Sequence, residues 1–262
     1  MNTACQIWIE ADDRRILFDT GQSDILNHNS EVLGIDLRAA STMVLSHGHY
    51  DHIGGVAAVR DLNPEISVYC HPGVFMPRYS RQPDGKRKPV GINAKASNDL
   101  YKIIDRIHWV NEPSYITGDI GITGPIPRLS DFEDTGGSFF LDPEAQRPDP
   151  ISDDLALWFK TTKGIVVVTG CCHSGIVNTL EHIQTIAGQK NILAVLGGLH
   201  LLNASLERLE KTCEYLKHTE TGKIYPCHSG ENVIEFLRTQ FGCRIIVGNV
   251  GACFQFGSCN KK

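Results

Sequence analysis

Leu45-Ser46-His47-Gly48-His49-Tyr50-Asp51-His52 packs three histidines and an aspartate into six residues, directly after the short β-branched and apolar run Ser41–Ser46. In an extended segment alternate side chains share one face, so His47, His49 and Asp51 can point the same way. Asp51 and His52 stand at the start of a predicted helix, Ile53–Leu62, where adjacent side chains diverge. The stretch can therefore supply two ligands to one metal and two to a neighbouring one. Imidazole and carboxylate together suit zinc, iron or manganese, and ligand type alone does not choose among them. Gly54-Gly55 lets the backbone pass close to such a site. The alternative is a polar loop of surface histidines. It fares badly, because so many ionisable groups meeting at one strand end need a common cation to offset their repulsion.

The surrounding chain has 262 residues, 41% hydrophobic and 21% charged, enough for a substantial core in one large domain. A net charge of -5 gives no electrostatic reason to expect nucleic-acid or anionic-membrane partners. No apolar run approaches the length of a membrane span. Met1–Trp8 has neither the basic nor the long apolar region of a signal peptide. Nine cysteines without the density of a disulfide scaffold read as reduced thiols of a cytoplasmic protein.

Toward the N-terminus, Gln6–Glu10 and Arg15–Phe18 read as a hairpin turning at Ala11–Arg14, and Asp19-Thr20-Gly21 closes its second strand. Beyond the histidines, Ile66–Cys70 is a strand. Tyr79–Gly91, rich in Arg, Lys, Pro and Gly, reads as a mobile loop, and Leu100–Ile107 as helical. Ile126–Ile151 is irregular, and both irregular stretches look like active-site loops. Leu155–Lys160, Ile165–Thr169 and Ile192–Leu196 are strand-like. So are the short Ile224-Tyr225 and the final candidate Arg244–Val247. Ile176–Ala187, Leu206–Lys217 and Val233–Gln240 are helical, the second with Leu206, Leu209, Cys213 and Leu216 on one face. A strand-rich first half followed by alternating strand and helix predicts an α+β fold with layered sheets and outer helices.

Thr42–Gly55 resembles the H-x-H-x-D-H signature of the metallo-β-lactamase superfamily, and Leu17-Phe18-Asp19-Thr20-Gly21 matches the Asp-containing turn that precedes it there. Further along, Gly124–Arg128, Asp153–Leu157, Thr169–Leu180, Gly197–Leu201 and Cys227–Gly230 are similar to one branch. That branch contains the archaeal 7,8-dihydropterin-6-methyl-4-(β-D-ribofuranosyl)-aminobenzene-5′-phosphate synthase. The resemblance implies a four-layer αββα sandwich, a single domain over residues 1–262, with metals held in loops at one edge of its two sheets. It also implies a strand ahead of Thr3-Ala4-Cys5, so the chain is expected to begin inside the first sheet without its first edge strand. One or two divalent ions are implied, zinc first, with iron and manganese as alternatives. His47 and His49 would hold the first metal and Asp51 and His52 the second, with His173 and His228 as later ligands.

Many relatives carry a metal-bridging Asp directly after the Thr-Gly that ends the strand at Gly170. Here Cys171 stands there, either a thiolate ligand or a small packing hydrophobe, with Asp153 and Asp154 as fallback carboxylates. His200 is open to three roles: substrate contact or proton transfer, metal ligation, or a core histidine. Asp19 reads as orienting a ligand imidazole or the turn beneath it. His28, His71, His108, His182 and His218 read as structural or surface residues, His71 being notable for following a strand. Arg78, Arg81, Lys86, Arg87, Lys88 and Arg128 are either contacts to a phosphorylated substrate or a solvated loop.

The expected function is a metal-dependent hydrolase of a small substrate, phosphorylated or not, working by metal-activated water, with Asp51 and His200 catalytic. The alternative is a transferase that condenses a pterin-methyl diphosphate with an aminobenzene ribosyl phosphate. A binding protein that kept the fold and lost turnover is a third reading, against which the full ligand set argues. The sequence does not reveal the oligomeric state.

Overall fold

The computed structural model describes residues 6–11, 13–82 and 84–257. The chain start, where the edge of the first sheet was expected, lies outside the described residues. Two compact units are formed, one from residues 1–111 and 137–155, the other from 112–136 and 156–262.

The first unit opens with the expected hairpin, β1 (Ile7–Ala11) and β2 (Arg14–Phe18), paired antiparallel with Ala11 opposite Arg14. After α1 (Ile25–Leu33), β3 (Thr42–Val44) joins β2 in parallel. Two short helices follow, α2 (Tyr50–Ile53) and α3 (Val56–Leu62), so the single predicted helix starts three residues early and breaks at Gly54-Gly55. β4 (Ser67–Cys70) pairs in parallel with β3.

Next come two short strands, β5 (Tyr79–Arg81) and β6 (Arg87–Pro89), paired antiparallel. This corrects the mobile-loop expectation for Tyr79–Gly91. The predicted helix at Leu100–Ile107 is displaced to α4 (Ala94–Tyr101), because Asn93 caps it by accepting from the Ala96 amide at 2.8 Å. β7 (Ile107–Trp109) then pairs with β4 and completes a mixed sheet of order β1-β2-β3-β4-β7. Leu17, Met43, Leu45, Ile53, Val56, Val68 and Leu100 form the core of this unit.

The chain crosses to the second unit with β8 (Ser114–Thr117) and β9 (Ile120–Ile122), which the sequence reading missed. It returns with β10 (Phe139–Phe140), which pairs with β5 to make a three-stranded sheet. The remaining elements belong to the second unit: β11 (Ala156–Thr161), β12 (Gly164–Thr169), α5 (Ile176–Ala187) and β13 (Ile192–Gly197). They are followed by α6 (Leu206–His218), β14 (Lys223–Pro226) and α7 (Glu231–Phe241). The sheet order is β14-β13-β12-β11-β9-β8, parallel across β12, β13 and β14 and antiparallel elsewhere.

Every residue of β12 is buried, as a continuous Ile-Val-Val-Val run requires. α5 lays Ile176, Leu180, Ile183 and Ala187 into the core and stops at Gly188, whose φ of 65° is left-handed. The apolar face expected of α6 is rotated. Leu206 is 61% exposed, while Arg208 and Thr212 are buried beside Cys213 and Leu216. Arg244–Val247 gives an isolated bridge between Ile245 and Ile224 in place of a strand. Among the described residues no helix is long and apolar enough to cross a membrane.

Candidate metal centre

In the first unit the parallel neighbours β2 and β3 end side by side, and their loops carry the chemistry. The Asp19 amide donates to Val44 O (2.9 Å), which continues the sheet pairing past Phe18 and sets Asp19 against Ser46. Asp19, fully buried at a φ of 60°, accepts from Ser46 N (2.7 Å), from Ser46 Oγ (2.7 Å) and from His52 Nδ1 (2.6 Å). Burial pushes its carboxyl above the usual range, while the His52 charge and these hydrogen bonds pull it back.

Proton bookkeeping then fixes the rings. Ser46 has one hydroxyl hydrogen and gives it to Asp19, so its oxygen accepts from His47 Nδ1–H at 2.9 Å. His47 Nε2 is left as the lone-pair nitrogen, 2.9 Å from His49 Nδ1. In the same way Nδ1 of His52 is tied to Asp19, and its Nε2 lies 3.8 Å from Asp51 Oδ2. The His47 ring lies 4.6 Å from that of His49 and 4.3 Å from that of His52, and all three residues are buried. Gly55 lets the start of α3 pass close to the turn that follows β2, since a Cβ there would lie 2.4 Å from Thr20 O. Buried imidazoles clustered with a carboxylate, lone-pair nitrogens fixed by neighbours on the other ring atom, are the donor chemistry of a divalent-cation site.

In the second unit three parallel strands end side by side, each with a donor in the loop that follows: Cys171 and His173 after β12, His200 after β13, His228 after β14. The Gly198 amide donates to Gly170 O (2.8 Å) and that of Cys227 to Gly197 O (2.9 Å), so the three loops are laced together. Cys172, His200 and His228 all adopt positive φ (69°, 48° and 53°), a conformation held only where the surroundings over-determine it. Cys171 Sγ lies within 4.8 Å of a ring nitrogen of His173 and likewise of His228. The His173 and His200 rings are 4.1 Å apart.

His173 is oriented by groups the sequence reading did not single out. Its Nδ1–H donates to Thr135 O at 2.9 Å, and because a carbonyl only accepts, Nε2 holds the lone pair. Thr135 is placed by its neighbours. Glu133 accepts from the Val177 and Asn178 amides at the start of α5 (2.9 and 2.8 Å), while Asn178 Oδ1 accepts from Leu129 N and Ser130 N (2.8 Å each). Burial raises the Glu133 carboxyl, opposed by those backbone donors. Arg128 donates to His173 O at 2.7 Å, so it supports this loop. The His200 ring lies against Gly136, where a Cβ would sit 1.6 Å from its Cδ2.

Several other expectations change. Asp153 is engaged by Arg78 and the Gly48 amide and is not held in reserve as a metal carboxylate. Arg78 itself is 3% exposed and paired with Asp149 and Asp153, which removes it from the anion-binding set. Arg81, Lys86, Arg87 and Lys88 are exposed, and the Lys88 ammonium donates to Tyr50 Oη at 3.0 Å. His71 uses Nδ1 to accept from the Gly73 amide at 2.9 Å, and burial lowers its pKa. It is a capping residue.

The sequence profile of the metallo-β-lactamase superfamily matches residues 6–181. A Methanocaldococcus jannaschii protein, 7,8-dihydropterin-6-methyl-4-(β-D-ribofuranosyl)-aminobenzene-5′-phosphate synthase, is 30% identical over 82% of this chain and 75% of its own length. An uncharacterized protein of the same organism is 34% identical over 84% of this chain and 80% of its own. Among solved structures, Tm1679, a metal-dependent hydrolase of the β-lactamase superfamily, superposes with a TM-score of 0.78 at 27% identity, covering 98% of this chain and 97% of that one. Zn(2+)-bound PqqB from Methylobacterium extorquens shares the fold at a TM-score of 0.60 and 14% identity, over 96% and 87% of the two chains.

The chain belongs to the metallo-β-lactamase superfamily. Its two mixed sheets and flanking helices are that family's fold, as the sequence predicted.

Proposed function

We propose that the protein is a metal-dependent hydrolase of a small anionic substrate. The observation that carries this reading is the buried His47–His49–His52 cluster, in which Ser46 and Asp19 hold Nδ1 of His47 and His52 and leave Nε2 of each as the lone-pair nitrogen. The likeness to Tm1679 supports the same class. His47, His49, Asp51, His52, His173 and His228 are the proposed ligands, and Cys171 joins them as a shared donor because it neighbours both later histidines. Zinc suits an imidazole, carboxylate and thiolate set, with iron and manganese as the alternatives.

When bound, the cation supplies Lewis acidity, lowering the pKa of water and polarising the bond under attack. Asp51, half-buried at the start of α2, accepts a proton from or orients the attacking water. His200, supported in this role by its ring contact with His173, exchanges a proton with the leaving group. Lys88, held against Tyr50 beside His49, supplies positive charge for the substrate's anionic group. The buried thiols fit the reducing cytoplasm. Burial pushes that of Cys213 to about 11 and that of Cys70 higher still.

Metal analysis of the purified protein, followed by assay against paired phosphorylated and unphosphorylated esters, tests the proposal. Stoichiometric zinc, iron or manganese and hydrolysis lost in His47→Ala/His49→Ala are expected. A protein that binds no divalent cation, or a double variant of undiminished activity, overturns it.

The second reading is a transferase, favoured by the 30% identity to the M. jannaschii synthase. Incubation with a pterin-methyl diphosphate and an aminobenzene ribosyl phosphate, with mass spectrometry of the products, decides it. Absence of condensation rules it out for those substrates.

A further inference from the structure

We propose that Arg78 and Asp153 form a buried brace that sets the backbone of the His47-Gly48-His49 turn, which makes both of them positioning residues for the metal ligands of the first unit. The inference rests on the metal reading above.

The Arg78 guanidinium is almost fully spent on three partners. Nε donates to Asp149 Oδ2 (2.8 Å), Nη1 to Asp153 Oδ2 (2.9 Å), and Nη2 to Asp153 Oδ1 (2.5 Å) and Gly73 O (3.2 Å). The same Asp153 Oδ2 accepts from the Gly48 amide at 2.8 Å. Gly48 is the single residue between two proposed ligands. It sits hard on the brace, for a Cβ there would lie 2.6 Å from both Arg78 Nη1 and Val74 O. On the other side of His47, Ser46 O accepts from the Leu155 amide at 2.8 Å. The residues flanking His47 are therefore both tied to the segment 153–155.

The chain just ahead of that segment is held in an unusual conformation. Ile151 has a φ of 50°, and its amide donates to Asp149 Oδ1 at 2.8 Å, so Asp149 binds both the strained backbone and Arg78. Apolar side chains would fill the same volume without the desolvation cost of a buried arginine and two carboxylates. What the ionic arrangement adds is direction, because a bidentate guanidinium fixes the carboxylate plane, and the carboxylate then fixes the Gly48 N–H. Partners one step removed from a ligand commonly change metal affinity by about 10- to 100-fold.

Arg78→Lys removes the planar fork. Asp153→Asn keeps the volume but sets an amide NH2 against a guanidinium NH2. Arg60→Lys is the control, since Arg60 pairs with Asp99 in the same unit without touching the histidine turn. Hydrogen–deuterium exchange on the metal-stripped protein, resolved over residues 45–52, is expected to quicken by about tenfold or more in the two brace variants and not in the control. Zinc affinity, read by chelator competition, is expected to fall by about 10- to 100-fold, with altered visible bands in the cobalt-loaded protein. Asp153→Asn keeps the test open if Arg78→Lys does not fold. Exchange unchanged over 45–52 overturns the brace. Faster exchange with parental zinc affinity and cobalt bands overturns its positioning role. A parent protein that binds no metal defeats the metal reading alone, because the exchange arm still decides whether the brace holds the turn.

Discussion

At the scale of single residues, the candidate centre is organised by who owns each proton. Asp19 accepts everything offered to it, Ser46 passes its one hydrogen to Asp19, and His47 and His52 are thereby committed to the Nδ1–H form. Asp19→Asn replaces an acceptor by a group that must also donate, and the His52 ring loses its anchor. Zinc affinity measured by chelator competition should fall by about 10- to 100-fold. Cys171 makes a second prediction. As a thiolate ligand it should give cobalt-loaded protein an intense near-ultraviolet charge-transfer band that disappears in Cys171→Ser, and an unchanged spectrum would leave it a packing residue. The histidine cluster was legible because four donors in six residues have no structural use, and Asp19 because it closes a strand beside them. Thr135 was not legible, since it orients His173 through a backbone carbonyl that any residue could supply. Arg78 was misread because a basic composition around it says nothing about which cation turns inward.

Elements place these residues through their ends. α5 has Gly175 ahead of its first residue, and a glycine at a φ of 91° has no side chain with which to cap it, so Glu133 from a distant loop takes that role. Glu133→Ala leaves two amides at a buried helix start without their acceptor. It should cost about 1–2 kcal/mol in a denaturant titration and loosen the loop that carries Thr135. Gly197 ends β13 at a φ of 124°, and a Cβ there would lie 2.0 Å from Thr169 O. Gly197→Ala should therefore destabilise by about 1–3 kcal/mol, seen as a lower thermal midpoint. α5 matched its predicted bounds because its apolar period is clean and a glycine stops it. β5 and β6 escaped notice because three-residue strands show no alternation, and their third partner, Phe139–Phe140, lies far along the chain. Pairing of that kind is a property of the fold and not of the local sequence.

For the molecule as a whole, the chain alternates twice between its units before settling in the second. Nothing in local composition announces that the stretch 112–136 belongs with residues 156–262, because β9 is recruited by pairing with β11 and β8 by pairing with β9. A ligand that binds the folded chain alone stabilises it by mass action. Zinc at about 100 times its dissociation constant should add about 2.7 kcal/mol. A thermal midpoint that rises with zinc and falls with chelator would show it, while identical curves would deny a specific site.

The side-by-side ends of β12, β13 and β14 carry a consequence for how such a protein diversifies. The candidate donors Cys171, His173, His200 and His228 lie in loops beyond the last paired residue of each strand, so exchanging one of them re-registers no sheet. A single substitution at a strand end can therefore alter the chemistry offered there while the hydrogen-bonded frame beneath it keeps its register.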